Sequence, residues 1–230
     1  MNDVETNLSS LIPELIERIR DLEAKDLLTN AYSSVMHDIK NLAFVLKILD
    51  EQKDYVGVGV AIAKLSQTAN NFGTFKSLHN GSYEVLKEDF NLKQMVQESS
   101  DIYLATADNV GSKLDFSQTN IYSDKTLVEF ILGNYLSNAA KHAYPGSSLD
   151  ISFNGSLLQV TNKGQDVDEK IVDYLFKRDF TTKNGDAKNG SGIGLHNVWL
   201  AANALEAKVG VKNNIGYGPT FYVDFNSDSK

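Results

Sequence analysis

The sequence predicts an α+β protein: an N-terminal helical hairpin that forms a dimeric four-helix bundle, then an α/β sandwich with a mixed sheet and helices on one face. Three observations carry this. Apolar residues recur every three or four positions through the first third of the chain. Turn formers in HNGSYE, residues 79 to 84, interrupt that period and divide the chain into residues 1–82 and 83–230. Beyond them, short alternating segments and amphipathic helical segments follow one another, the texture of a sheet covered by helices.

In the first part, Leu8, Leu11, Ile12, Leu15, Ile16, Ile19 and Leu22 form one stripe, with Pro13 tolerable near the helix start. Residues 1–26 suit a coiled-coil input segment, a docking helix for a separate sensor protein or a dimer extension, with core packing as the plain reading. A second helix is expected from about Leu27 to Glu51, carrying Ala31, Val35, Ile39, Leu42, Leu46 and Leu49. A third is expected from about Tyr55 to His79, carrying Val58, Ile62, Leu65, Ala69, Phe72, Phe75 and Leu78. The link DEQKDY is short and polar, which implies an antiparallel pair. A lone hairpin cannot bury both stripes, and two hairpins can, so a homodimer is expected.

In the second part, FNLKQMVQESSDIY reads as a helix, KLDFSQ and NIYSD as short strands or loops, and KTLVEFILGNYLSNAAKHAY as a strong amphipathic helix. SLDISFNG and SLLQVTNKG alternate as strands joined at Asn154-Gly155, a hairpin signal. A glycine-rich loop then leads into a further helix, and AKVGVKNN with GPTFYVDFN reads as a closing hairpin.

Composition narrows the function classes. At 230 residues with 42% hydrophobic and 23% charged content, the chain can bury a real core. A net charge of -8 argues against a general nucleic-acid or anionic-membrane surface. No apolar run approaches the roughly 18 residues of a membrane span, and MNDVETNLSS is acidic and polar, unlike a secretory signal. The absence of cysteine removes disulfides and thiolate chemistry. A cytoplasmic protein is the expectation.

Three segments carry candidate chemistry. In Met36-His37-Asp38-Ile39-Lys40-Asn41, the periodicity turns Val35, Ile39 and Leu42 inward and leaves His37, Asp38 and Asn41 on the more exposed side. An imidazole is a competent nucleophile near neutral pH, and an adjacent carboxylate can take the proton of its far nitrogen. Asn41 lies one turn away on the same face, where its amide can orient a water. Taken alone, a histidine beside an aspartate is more often a solvated helix surface. In the second segment, Asn134, Asn138 and either Lys141 or His142 form a polar stripe on an otherwise apolar helix. Asparagine oxygens suit Mg²⁺, and a lysine complements phosphate charge; capping or surface asparagines are the plain alternative. In the third, Asn189-Gly190-Ser191-Gly192-Ile193-Gly194-Leu195 opens a helix, and its glycines let backbone N–H groups approach phosphates. It is neither the P-loop nor the dinucleotide fingerprint.

Together, MHDIKN, LGNYLSNAAKH, LFKRDFTTK, NGSGIGLHNV and GYGPTFYV, in this order, resemble the catalytic core of two-component sensor histidine kinases, over about residues 28 to 224. The resemblance implies the histidine kinase ATPase fold for the second part. It implies a histidine protein kinase that uses ATP and Mg²⁺, with His37 phosphorylated, Asp38 as its base and Asn41 in phosphatase activity toward a response regulator. It places Mg²⁺ on Asn138, supports the phosphate site with Asn134 and Lys141, and borders a lid with Phe180, Thr181, Thr182 and Lys183. Gly190, Gly192 and Gly194, with Leu195 after them, would cradle the triphosphate, and Thr220 would lie near the adenine pocket. The adenine box itself, normally Asp-x-Gly-x-Gly, here reads Asn162-Lys163-Gly164-Gln165-Asp166. Asn162 can accept the adenine amino hydrogen bond without charge assistance. The rival expectation is a histidine phosphotransfer or scaffold protein whose nucleotide domain is degenerate.

Overall fold

A computed structural model describes residues 55–105, 110–177 and 193–226. The helices expected before Tyr55, and their link, lie outside the described residues. The elements run α1 (Tyr55–His79), β1 (Lys87–Asn91), α2 (Leu92–Leu104), β2 (Gly111–Phe116), β3 (Asn120–Asp124), α3 (Lys125–His142), β4 (Ser148–Phe153) and β5 (Leu157–Thr161). A short 3-10 helix (Glu169–Tyr174) follows, then α4 (Gly194–Ala204), β6 (Lys208–Asn214) and β7 (Gly218–Asp224).

Five strands form a mixed sheet in the order β2-β4-β5-β7-β6. Only β2 and β4 run parallel, pairing Gly111 with Ser148 through Phe116 with Phe153; the other neighbours are antiparallel. Along β4 and β5 the alternate residues Leu149, Ile151, Phe153, Leu158 and Val160 are buried, while Asp150, Ser152 and Gln159 between them are half-exposed. The buried set shares one core with Leu92 and Val96 of α2, Leu132, Tyr135 and Leu136 of α3, and Val198 and Ala201 of α4. Three helices therefore cover the inner face, and the other face is polar.

Local chemistry explains the element ends. Asn91 caps α2 by accepting from Gln94 N at 2.9 Å, so the helix starts two residues later than FNLKQ suggested. The residues before it form β1, paired antiparallel with β3 in a separate two-stranded ribbon. KEDFN shows no apolar alternation because only Phe90 in it is even half-buried. The β4–β5 turn falls where Asn154-Gly155 placed it: Gly155 takes φ +104, and Asn154 Oδ1 accepts from Leu157 N at 3.0 Å. Inside the core, the fully buried Tyr135 hydroxyl donates to the Tyr222 carbonyl at 2.7 Å.

Helix α1 packs on α2, α3 and α4. The side it buries keeps Phe72, Phe75 and Leu78 of the apolar stripe read from the sequence and departs from that stripe at Ile62 and Ala69. Ile62 is 51% exposed and Ala69 is also exposed, whereas Ala61, Gln67, Thr74 and Phe75 are buried. Gln67 donates to Glu129 of α3 at 3.4 Å, and Asn71 donates to the Tyr103 hydroxyl of α2 at 3.4 Å. These positions recur at helical spacing beside Phe72, Phe75 and Leu78 of the expected face. Burial pushes Tyr103 up to about 12.

Candidate functional site

The site is built where the end of β5 meets the C-terminus of α3 and the start of α4. Asn162 follows β5 directly, is 1% exposed, and donates its backbone N–H to the Pro219 carbonyl at 3.2 Å. Its side chain has no partner at either Oδ1 or Nδ2. A buried amide with both atoms unpaired costs a few kcal/mol, about 1–3 per group, unless something else satisfies it. Gly164 lies beside it. A Cβ there would stand 2.6 Å from Asn162 Nδ2 and 2.5 Å from the His142 carbonyl, so only glycine leaves the amide its place. Gly218 is constrained likewise, at φ +133 with a Cβ position 2.3 Å from the Asn162 carbonyl.

Backbone pairing fixes this segment to α3. Ala143 bridges to Gly164, Tyr144 N donates to the Lys163 carbonyl at 2.8 Å, and Gly164 N donates to the Tyr217 carbonyl at 3.2 Å. Downstream, Asn213 of β6 holds Val167 from both sides: its Oδ1 accepts from Val167 N at 2.9 Å and its Nδ2 donates to Val167 O at 2.7 Å. Sequence reading missed this clamp, because nothing local marks an asparagine that grips a loop 46 residues away.

The other wall comes from α3 and α4. Asn134 Nδ2 donates to the Phe130 carbonyl at 2.7 Å, which turns its Oδ1 toward Gly194; a Cβ on Gly194 would lie 3.2 Å from that oxygen. Helix α4 starts at Gly194 after Ile193, and no side chain caps it. Its first-turn N–H groups receive no cap from the Ile193 side chain and carry the positive end of the helix dipole. Leu195 is half-buried against the core. Asn138, one turn beyond Asn134, is half-buried. Lys141 and His142 end α3 with solvent contact; burial lowers the pKa of Lys141, and burial and then the Lys141 charge lower that of His142. Asn197, three residues into α4, keeps a buried, unpaired Oδ1.

The structure thus brings Asn134 to Gly194 at the start of α4, and Asn162 with Gly164 to the end of α3, with Asn138 and Lys141 along α3 between them. It does not bring Thr220 to Asn162. Thr220 stands opposite Thr161 in the β5–β7 register; the two hydroxyls hydrogen-bond at 2.6 Å, and Asn214 Nδ2 donates to Thr220 Oγ1 at 2.7 Å. Thr161 alternates with the core residue Val160, so Thr220 projects on the face away from the helices. The β7 residue bonded to Asn162 is the buried Pro219. His37, Asp38, Asn41, Phe180, Thr181, Thr182, Lys183, Gly190 and Gly192 lie outside the described residues. No described helix is long and apolar enough to cross a membrane.

Comparison with known proteins places this geometry. Residues 123–229 match the family described as histidine kinase-, DNA gyrase B-, and HSP90-like ATPase. The sensor protein BceS of Halalkalibacterium halodurans is 27% identical over 125 residues, covering 53% of this chain and 37% of that protein. The autoinducer 2 sensor kinase/phosphatase LuxQ of Vibrio cholerae is 25% identical over 189 residues, 76% of this chain and 22% of that protein. The chain therefore spans well under half the length of these curated relatives. Among solved structures, the Acinetobacter baumannii histidine kinase AdeS shares the fold with a TM-score of 0.56 at 21% identity, over 84% of this chain and 98% of that one.

Proposed function

We propose that this chain, a two-component histidine kinase catalytic core with its ATPase domain over residues 123–229, phosphorylates its own His37 from ATP and passes the group to an aspartate of a response regulator. The observation that carries the reading is Asn162: a buried amide, unpaired at both atoms, framed by glycines at 164 and 218. It meets the need of a base edge, while the uncapped start of α4 opposite Asn134 suits phosphate oxygens.

In this reading residues 1–82 form the dimerisation and phosphotransfer domain and residues 83–230 the catalytic domain. An imidazole nitrogen of His37 attacks the γ-phosphorus; a P–N bond forms as the P–O bond to ADP breaks, and Asp38 takes the proton from the other ring nitrogen. The regulator's carboxylate oxygen then takes the phosphoryl group as the P–N bond breaks. Asn41 orients water for the reverse regulation, hydrolysis of the regulator's phosphate. Asn162 and Gly164 position the base; Asn134, Lys141, Gly190, Gly192 and Gly194 hold the phosphates, with Thr182 and Lys183 at the lid border. Mg²⁺ on Asn138 would supply charge neutralisation at the phosphates. In this reading the protein works as a homodimer in the cytoplasm.

One observation favours a second reading, a phosphotransfer protein without ATP use: Asn162 and Asp166 stand where an aspartate and a second glycine are usual. Incubation with γ-labelled ATP and Mg²⁺ separates the two. An acid-labile, alkali-stable label that disappears in His37→Gln is the expected result. A label that persists in that variant removes His37 from its role, and no label in either protein favours the phosphotransfer reading.

A further inference from the structure

Asn162 is an amide, and an amide carries a donor and an acceptor side by side. Which of them faces a ligand depends on what anchors the other. Among the described residues nothing does. Neither Oδ1 nor Nδ2 has a hydrogen-bond partner, although the side chain is buried to 1% exposure. The His142 carbonyl, on the same side of Gly164 as Nδ2, takes no hydrogen bond from it. The backbone, by contrast, is fixed, through Asn162 N to Pro219 O at 3.2 Å and Gly164 N to Tyr217 O at 3.2 Å. The amide is thus held in place at its root and is free to turn over about its last bond, a rotation that exchanges oxygen for nitrogen at almost no steric cost.

The two orientations complement two different base edges. With Oδ1 outward beside Nδ2, the amide accepts from the adenine 6-amino group and donates to N1. Turned over, it donates to the guanine 6-carbonyl oxygen and accepts from the guanine N1–H. A carboxylate at the same position has acceptors only, so it favours the amino edge and repels the carbonyl edge. Discrimination by polar complementarity requires that the wrong ligand leave a buried group unpaired, and an amide that turns over leaves none.

Resting on the nucleotide reading above, we infer that Asn162 relaxes the base specificity of this site, so that it takes guanine as well as adenine nucleotides. The residue acts in recognition of the base and leaves the phosphate end as it is.

Calorimetric titration of the full chain with ADP, GDP and IDP in Mg²⁺ buffer tests this, beside the Asn162→Asp variant. The expected result is that all three bind the native chain with affinities within about 10-fold of each other. Asn162→Asp then shifts the ADP-to-GDP preference by about 10- to 100-fold toward ADP, since hydrogen bonds to a charged acceptor are worth about 1.5–3 kcal/mol. IDP has the guanine edge without its 2-amino group, so it isolates the edge from the fit of that group. It also decides the matter on native protein alone should the aspartate variant fail to fold. Native chain that binds ADP yet holds IDP more than about 100-fold more weakly overturns the inference and leaves the nucleotide reading standing. Folded Asn162→Asp with an unchanged preference overturns it as well. Absence of binding by all three nucleotides overturns both.

Discussion

Asp124 and Asn162 are both polar, both almost wholly buried, and both placed where a strand ends, yet their surroundings are opposites. Asp124, 2% exposed, receives three donors: Leu127 N at 2.9 Å, Leu86 N at 2.8 Å and the Tyr83 hydroxyl at 3.1 Å. One carboxylate caps α3, closes the β1–β3 ribbon and ties down the segment that leaves α1. Asn162, 1% exposed, receives none. The difference separates a polar group that the fold itself pairs from one that it leaves unpaired. A fold leaves a buried amide unpaired only at a cost, and here Gly164 keeps the space beside Nδ2 clear while Gly218 makes room for the Asn162 main-chain carbonyl.

Three substitutions sharpen or break this contrast. Asp124→Ala has the largest expected effect: it removes a helix cap and orphans the buried Leu127 N–H and the part-buried Leu86 N–H, for a loss of about 3 kcal/mol in denaturant unfolding. A loss below about 1 kcal/mol would place Asp124 with the ligand-binding groups. Tyr83→Phe comes next, at about 1 kcal/mol, because Asp124 keeps its two backbone donors. This effect depends on pH. Burial, then the Asp124 charge, pushes the Tyr83 hydroxyl from 10.0 up to about 12. The hydroxyl is harder to ionise folded than unfolded, so its contribution is complete below about pH 10 and is lost as pH rises through about 12. A difference between Tyr83→Phe and native protein that does not shrink across that window contradicts the assignment. The smallest effect on stability belongs to Asn162→Ala. It deletes a buried group that makes no hydrogen bond, so the protein should lose less than about 1 kcal/mol of unfolding free energy and can gain stability, while nucleotide affinity in calorimetry falls about 10-fold or more. A destabilisation matching that of Asp124→Ala would show that the amide is paired in solution.

Much of this architecture was legible in the sequence, for identifiable reasons. Helix α3 combines an apolar stripe with a capping aspartate, so its limits followed from period and cap chemistry. The β4–β5 and β6–β7 hairpins followed from alternation and from Asn154-Gly155. Asn134 stood out as an asparagine in mid-helix and Gly194 in a glycine-rich run before a helix, whereas Gly164 was named through the resemblance to the histidine kinase segments. Strand β1 escaped because an exposed ribbon needs no apolar alternation, and the Asn213 clamp on Val167 escaped because long-range side-chain grips leave no local signal.

What the sequence determined by itself was the order and kind of the elements, since period, caps and turn residues act over a few neighbours. What only the tertiary structure decided was direction. It set part of the buried side of α1, choosing Ala61, Gln67 and Thr74 over Ile62 and Ala69 while keeping the expected Phe75. It turned Thr220 away from Asn162 by one step of the pleat. It also left the Asn162 amide unpaired, which no residue nearby in sequence could reveal. Orientation and pairing depend on contacts between residues far apart along the chain, and those exist only once the sheet and its helices have closed on one another.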